Sequence, residues 1–182
     1  NLAAALEKDV RALASQIGER NLEKYDELCE AADYIAEEFK KAGLEPQIQE
    51  YKVPKGKLSS TWNATNYWEQ VYKNVWAEIK GTEKPEKIIV IGAHYDSVAR
   101  HDCRGANDNA SGVAAVLAAA RKFSGGKYKR TIRFVAFVNE EPPFFFTNYM
   151  GSYVFAKACR EKNENIVAML CPETMGYYSD KE

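Results

Sequence analysis

The sequence predicts an α/β fold, a three-layer α/β/α sandwich whose mixed sheet is parallel at its centre. Three observations carry this. Two amphipathic helical stripes open the chain. Three continuous apolar runs, 88–93, 130–138 and 166–171, have the character of strands buried on both faces. Helical patterns over 110–123 and 149–160 separate those runs, and strands alternating with helices build a sheet covered by helices.

In chain order, Leu2, Leu6, Val10, Leu13 and Ile17 recur at steps of three and four, a helical stripe closed by Gly18. Tyr25, Leu28, Ala32, Ile35 and Phe39 repeat the pattern up to Gly43. Residues 47–53 alternate, with Tyr51 and Val53 marking one buried face before Pro54 stops the strand. Residues 55–60 are turn-like. Val75, Ala77 and Ile79 alternate with Trp76, Glu78 and Lys80 in a strand ending at Gly81, and 82–86 with Pro85 is a polar turn. The first central strand, 88–93, then delivers His94. Helix 110–123 carries Val113, Val116, Leu117 and Ala120. Helix 149–160 carries Tyr149, Tyr153, Val154 and Ala158.

Composition excludes several classes. A net charge of −1 with no basic run gives nucleic acid no electrostatic footprint. No apolar stretch approaches the ~20 residues of a membrane span. The four cysteines, Cys29, Cys103, Cys159 and Cys171, have no C-x-x-C spacing, which argues against a zinc knuckle. Three of them, Cys29, Cys159 and Cys171, fall in apolar patterns that suit a buried free thiol. Asn63 and Asn109 fit the glycosylation sequon, too short a pattern to fix a compartment. The chain opens with Asn1, so it is expected to have been trimmed or processed.

In an open α/β sheet, ligands bind beyond the carboxyl ends of the strands. There the three central strands release His94 and Asp96, then Asn139-Glu140-Glu141, then Glu173. Asp108 sits in the run Gly105-Ala106-Asn107-Asp108-Asn109-Ala110-Ser111-Gly112 that opens the following helix. Histidine and carboxylates without thiolates suit zinc or another first-row divalent ion. Asp108 is placed as a carboxylate that could bridge two ions. Asp96 could accept the second ring N–H of His94 and fix its tautomer, or simply cap the turn. In an extended segment Glu140 and Glu141 point in opposite directions, so one could bind metal while the other acts as general base. The run from Pro142 to Phe146 could form a substrate-facing wall or a core plug.

These pieces resemble a family. "IGAHYDSV", "GANDNASGVAAVLAAAR", "RTIRFVAFVNEE", "MGS" and "ETMGYYS" are similar, in order and interval, to the zinc aminopeptidases that include bacterial leucyl aminopeptidases, aminopeptidase Y and the glutamate carboxypeptidase II catalytic domain. The similarity runs over nearly the whole chain. It implies a phosphorylase/peptidase-like fold, a peptide substrate released one N-terminal residue at a time, and a secreted or periplasmic setting. It also implies that His94 and Glu173 bind one zinc, Asp108 bridges, Glu141 binds the other zinc, Glu140 is the general base and Asp96 orients His94. A cis peptide after Asp108 is a further family trait. The family's second zinc takes a later histidine, whereas this sequence ends at Glu182 and its other histidine, His101, precedes Asp108 in an exposed-looking polar loop. Residues 1–182 are therefore expected to be the N-terminal portion of one longer catalytic domain, lacking its C-terminal part. Such a portion would be weakly active or inactive, and would hold one zinc or none where the complete domain holds two. A single-zinc glutaminyl cyclase and a non-catalytic binding module are the competing readings on the same fold.

Overall fold

The structure is a computed structural model and describes residues 1–58, 67–100 and 102–178. His101 and the sequon at Asn63 fall outside them. Among the described residues five strands form one sheet: β1 (Gln47–Tyr51), β2 (Tyr72–Ile79), β3 (Lys84–His94), β4 (Arg130–Phe137) and β5 (Asn165–Leu170), in the order β1-β2-β4-β3-β5. β1 and β4 flank β2 antiparallel, whereas β4 and β5 flank β3 parallel. The sheet is mixed, with the parallel set around β3.

Alternation along β4 separates the two faces. Ile132, Phe134 and Ala136 point into one core with Val75 and Ala77 of β2, and that core is closed by α1 (Leu2–Arg11), α2 (Tyr25–Lys41) and α3 (Gly112–Phe123). Val135 and Phe137 point the other way, onto Phe155 and Cys159 of α4 (Gly151–Glu161). Period-two side-chain direction thus makes both faces apolar and requires a helix layer on each.

Several expectations need correction. Residues 84–86, read as a turn, begin β3 instead, and a register shift between Lys84 and Ile88 absorbs Pro85, which has no N–H to give the ladder. The buried face of α4 is Gly151, Phe155 and Cys159, at steps of four; Tyr153 is exposed. β5, read as a central strand, is the outer strand among the described residues, paired with β3 and with all six residues exposed. The four cysteines are free, yet only Cys159 is buried; Cys171 is exposed. No helix among the described residues is long and apolar enough to cross a membrane.

Candidate metal centre

β3, β4 and β5 run parallel and finish at one edge: His94 is in register with Phe137, and Ile91 with Leu170. That places the residues following each strand side by side. His94 is the last residue of β3 and is buried. Asn139 follows β4 with φ of 59°, a left-handed conformation that asparagine tolerates better than most residues. It turns the chain, so Glu140 and Glu141 both line the same cleft instead of pointing in opposite directions as in a strand.

Asp108 enters from the loop before α3, where the Asp108–Asn109 peptide is cis. The chain around Asp108 and Asn109 is non-helical, and regular helix starts only at Gly112. A side chain on Gly112 would come within 2.3 Å of Asn109 Oδ1 and 2.4 Å of the Pro172 carbonyl, so glycine is required where these loops meet. Asn109 is buried and aims the third arm. Its Nδ2 donates to Glu173 Oε2 at 2.9 Å and to the Pro172 carbonyl at 3.1 Å, while its Oδ1 accepts from Gly112 N at 3.0 Å.

His94 Nε2 stands 3.0 Å from Asp108 Oδ1, 3.5 Å from Glu173 Oε2 and 3.7 Å from Glu140 Oε2. Ligand atoms of His94, Asp108 and Glu173 all lie within 4.8 Å of one another, and Glu141 does not join that group. Donors so spaced can share one ion at bond lengths of about 2.0–2.2 Å, and an imidazole with two carboxylates is a donor set zinc accepts. The residues present fit the metal.

Asp96 holds the other side of the ring: its Oδ1 is 3.4 Å and its carbonyl 3.2 Å from His94 Nδ1. The same carboxylate accepts the main-chain N–H of Glu140 at 3.1 Å and of Glu141 at 3.0 Å. One side chain thereby ties the ends of β3 and β4 together and fixes which histidine nitrogen faces the cleft.

Burial alone would lower the His94 pKa, but contacts with Asp108, Asp96 and Glu173 raise it to about 12. Hydrogen bonding to His94 lowers Asp108. Burial first, then the neighbouring Asp108 and Asp96, pushes Glu141 up to about 7; burial and neighbouring acids raise Glu140 as well. These are the signs of a carboxylate-rich pocket short of positive charge. The cleft measures about 400 Å³, and among the described residues no lysine or arginine lines it.

Sequence reasoning missed the residue that joins the loops. Arg20, between α1 and α2, is wholly buried, and among the described residues its guanidinium donates only to main-chain carbonyls. They belong to Tyr95 at 2.5 Å, Arg104 at 2.6 Å, Gly105 at 2.7 Å, Gly18 at 3.0 Å and Leu13 at 3.3 Å. Those bonds clamp the turn after His94 to the loop before Asp108. No pattern in the sequence marks Arg20. Asn109 lay in the quoted run, but only its contact with Glu173 shows its use.

His94, Asp108 and Glu173 thus form a candidate divalent-metal site at the carboxyl edge of a mixed α/β sheet. Residues 74–182 match the model of peptidase family M28, and the chain belongs to that family. Protein YfbL of Escherichia coli (strain K12) is 34% identical over 179 residues, covering 95% of this chain and 50% of its own. A Pyricularia oryzae protein named as a probable zinc metalloprotease is 31% identical over 153 residues, 80% of this chain and 29% of its own. The chain thus spans half or less of the length of these relatives. Among solved structures, an aminopeptidase from Aneurinibacillus sp. strain AM-1 superposes with a TM-score of 0.72 at 16% identity, covering 94% of this chain and 70% of that one. Porphyromonas gingivalis glutaminyl cyclase does so with 0.74 at 19%, covering 96% and 59%. At such identities the likeness is one of fold.

Proposed function

We propose that residues 1–182 are the zinc-binding portion of an exopeptidase that releases N-terminal residues from peptides. The observation that carries this is the convergence of His94, Asp108 and Glu173 on one point, with Glu140 beside it. In this reading His94 and Glu173 would hold one zinc together with Asp108, and Asp108 would be shared with a second, weaker position beside Glu141. When bound, zinc polarises the scissile carbonyl and makes water nucleophilic near neutral pH. Glu140 takes the proton from the attacking water and returns it to the leaving amine. Asp96 keeps Nδ1 of His94 engaged, so that Nε2 faces the metal position. A cleft lined by carboxylates, with no lysine or arginine among the described residues that line it, favours a substrate end bearing an ammonium group over one bearing a carboxylate.

The test pairs metal content with turnover. The zinc-loaded chain is expected to retain one zinc through dialysis and to hydrolyse L-leucine p-nitroanilide slowly. Glu140→Gln should keep the zinc and cut that turnover by about 100-fold or more. A variant with unchanged turnover would remove Glu140 from the base role, and two tightly held zincs would contradict the weaker second position. Cyclisation of a glutaminyl peptide without release of leucine would move the reading to the cyclase.

A further inference from the structure

Residues 139–150, between β4 and α4, supply the cleft wall next to the two glutamates, through Pro142 and Phe145. The ends of this segment are drawn together. Gly151 N donates to the Val138 carbonyl at 2.8 Å, and buried Asn74 grips both sides, accepting from Val138 N at 3.0 Å and donating to the Gly151 carbonyl at 2.8 Å. A Cβ on Gly151 would lie 2.3 Å from Asn74 Oδ1 and from the Val138 oxygen, so only glycine permits this closure. Inside the segment, successive turns leave little freedom. Phe144 N donates to the Glu141 carbonyl at 3.0 Å, Thr147 N to the Phe144 carbonyl at 2.9 Å, and Met150 N to the Thr147 carbonyl at 3.3 Å. The Phe144 ring is buried edge-on against Tyr72, with centroids 5.1 Å apart, and anchors the loop from below.

From this fixed base two rings are held outward. Phe145 faces the cleft 43% exposed; Phe146 is 89% exposed, with its ring centroid 4.2 Å from that of Phe145. Phe146 also sits at φ of 57°, a backbone region that bulky residues seldom occupy. Apolar rings kept in water on a rigid, strained loop at the mouth of a polar site mark a contact surface, because solvation alone would turn them inward. Apart from Pro142 and Phe145, the described residues lining the cleft are His94, Thr174 and four carboxylates.

We infer that Phe145, backed by Phe146, is the specificity-determining wall of this cleft and takes an apolar side chain, aliphatic or aromatic, from the residue beside the cleaved bond. The inference rests on the peptidase reading above. The carboxylates and the metal anchor the polar end of the substrate, and the rings offer a charged side chain neither a hydrogen bond nor a counter-charge.

Hydroxamates separate the two readings, since the hydroxamate group chelates the metal whatever side chain it carries. Calorimetry on the zinc-loaded chain would compare acetohydroxamate, L-alanine hydroxamate and L-phenylalanine hydroxamate. The phenylalanine compound is expected to bind about 10-fold tighter than the alanine compound or better, a ratio typical of one apolar contact face. Phe145→Ala should bring that ratio close to one and leave acetohydroxamate affinity unchanged, while Phe145→Leu should keep most of the preference. A preference that survives Phe145→Ala, or none in the unaltered protein, would overturn the wall. Failure of acetohydroxamate to bind would instead remove the metal centre, and the wall with it.

Discussion

Arg20 holds a full charge away from water without a carboxylate among its hydrogen-bond partners. Burial pulls its pKa down to about 10, while Asp96 and Asp108 nearby pull it up, so the guanidinium stays protonated at neutral pH. Its fork of donors satisfies carbonyls from three stretches of chain, at Leu13 and Gly18, at Tyr95, and at Arg104 and Gly105, and no lysine could do the same, having one nitrogen and three donors. Arg20→Met keeps much of the volume and strands those carbonyls. At about 1–3 kcal/mol for each buried group left unpaired, urea unfolding should show a loss of at least about 3 kcal/mol. Zinc affinity should fall by about 10- to 100-fold, as expected when the support behind metal ligands is removed. Arg20→Lys should recover only part of each. Unfolding and zinc titration that matched the unaltered protein would show that the clamp is dispensable. None of this was readable from Gly18-Glu19-Arg20, because a buried arginine is defined by the carbonyls around it and three of the five come from residues 75–85 positions away. Asp96 was legible as a partner of His94, but its grip on the Glu140 and Glu141 amides depends on how β3 and β4 register.

Helix α1 shows why a stripe of apolar residues is an incomplete guide. Leu2, in the stripe, is 65% exposed, whereas Asp9, outside it, is wholly buried. Arg121 of α3 explains this: it donates to Asp9 at 2.6 and 2.9 Å and to Glu38 of α2 at 2.6 Å, and Tyr34 adds a bond to Asp9 at 2.7 Å. Lys8 and Lys41 also reach Glu38, at 3.0 and 2.9 Å. The three helices on this face are joined by a charge network that periodicity cannot display, since its members are spread over more than a hundred positions. Burial alone would raise the Glu38 pKa, yet Lys41, Lys8 and Arg121 together hold it at about 2, against an ordinary value of 4.5. A carboxyl depressed by folding contributes stability above its unfolded pKa and loses it as pH falls. Thermal stability should therefore decline between about pH 4.5 and pH 2, and Glu38→Gln should flatten the decline across that window. An equally steep acid profile in the variant would place the acid sensitivity elsewhere. α4 and β5 fail differently. The α4 stripe of Tyr153 and Val154 lost to Phe155 and Cys159, which meet Trp76 and Phe137 across the sheet. β5 has a covered strand's composition, but coverage is a property of neighbours, and composition cannot name them.

At the scale of the whole molecule, the sandwich was legible because β3 and β4 are apolar on both faces, which requires helices on both sides. The gathering of His94, Asp108, Glu140 and Glu173 was legible because parallel strands deposit their following residues at one edge, so motifs far apart in the chain became neighbours once the strands were placed. Which of these side chains stand within reach of one ion was not, since that depends on spacings between side chains from different loops. That spacing has a mechanical consequence. His94 belongs to β3, Asp108 to the loop before α3 and Glu173 to the loop after β5, so one ion held by all three would cross-link the sheet's exposed outer strand to its interior. A ligand that binds only the folded chain adds about 2.7 kcal/mol of stability at a free concentration 100 times its Kd. For a chain of this size, roughly 2–4 °C accompanies each kcal/mol, so zinc should raise the unfolding midpoint by about 5–10 °C. EDTA should reverse the rise, and His94→Ala should abolish it, because the two carboxylates left behind lack the imidazole that selects zinc over harder cations. Scanning calorimetry with and without zinc would read this directly. A midpoint indifferent to zinc, or a rise of the same size in His94→Ala, would mean that the three side chains do not act as one site.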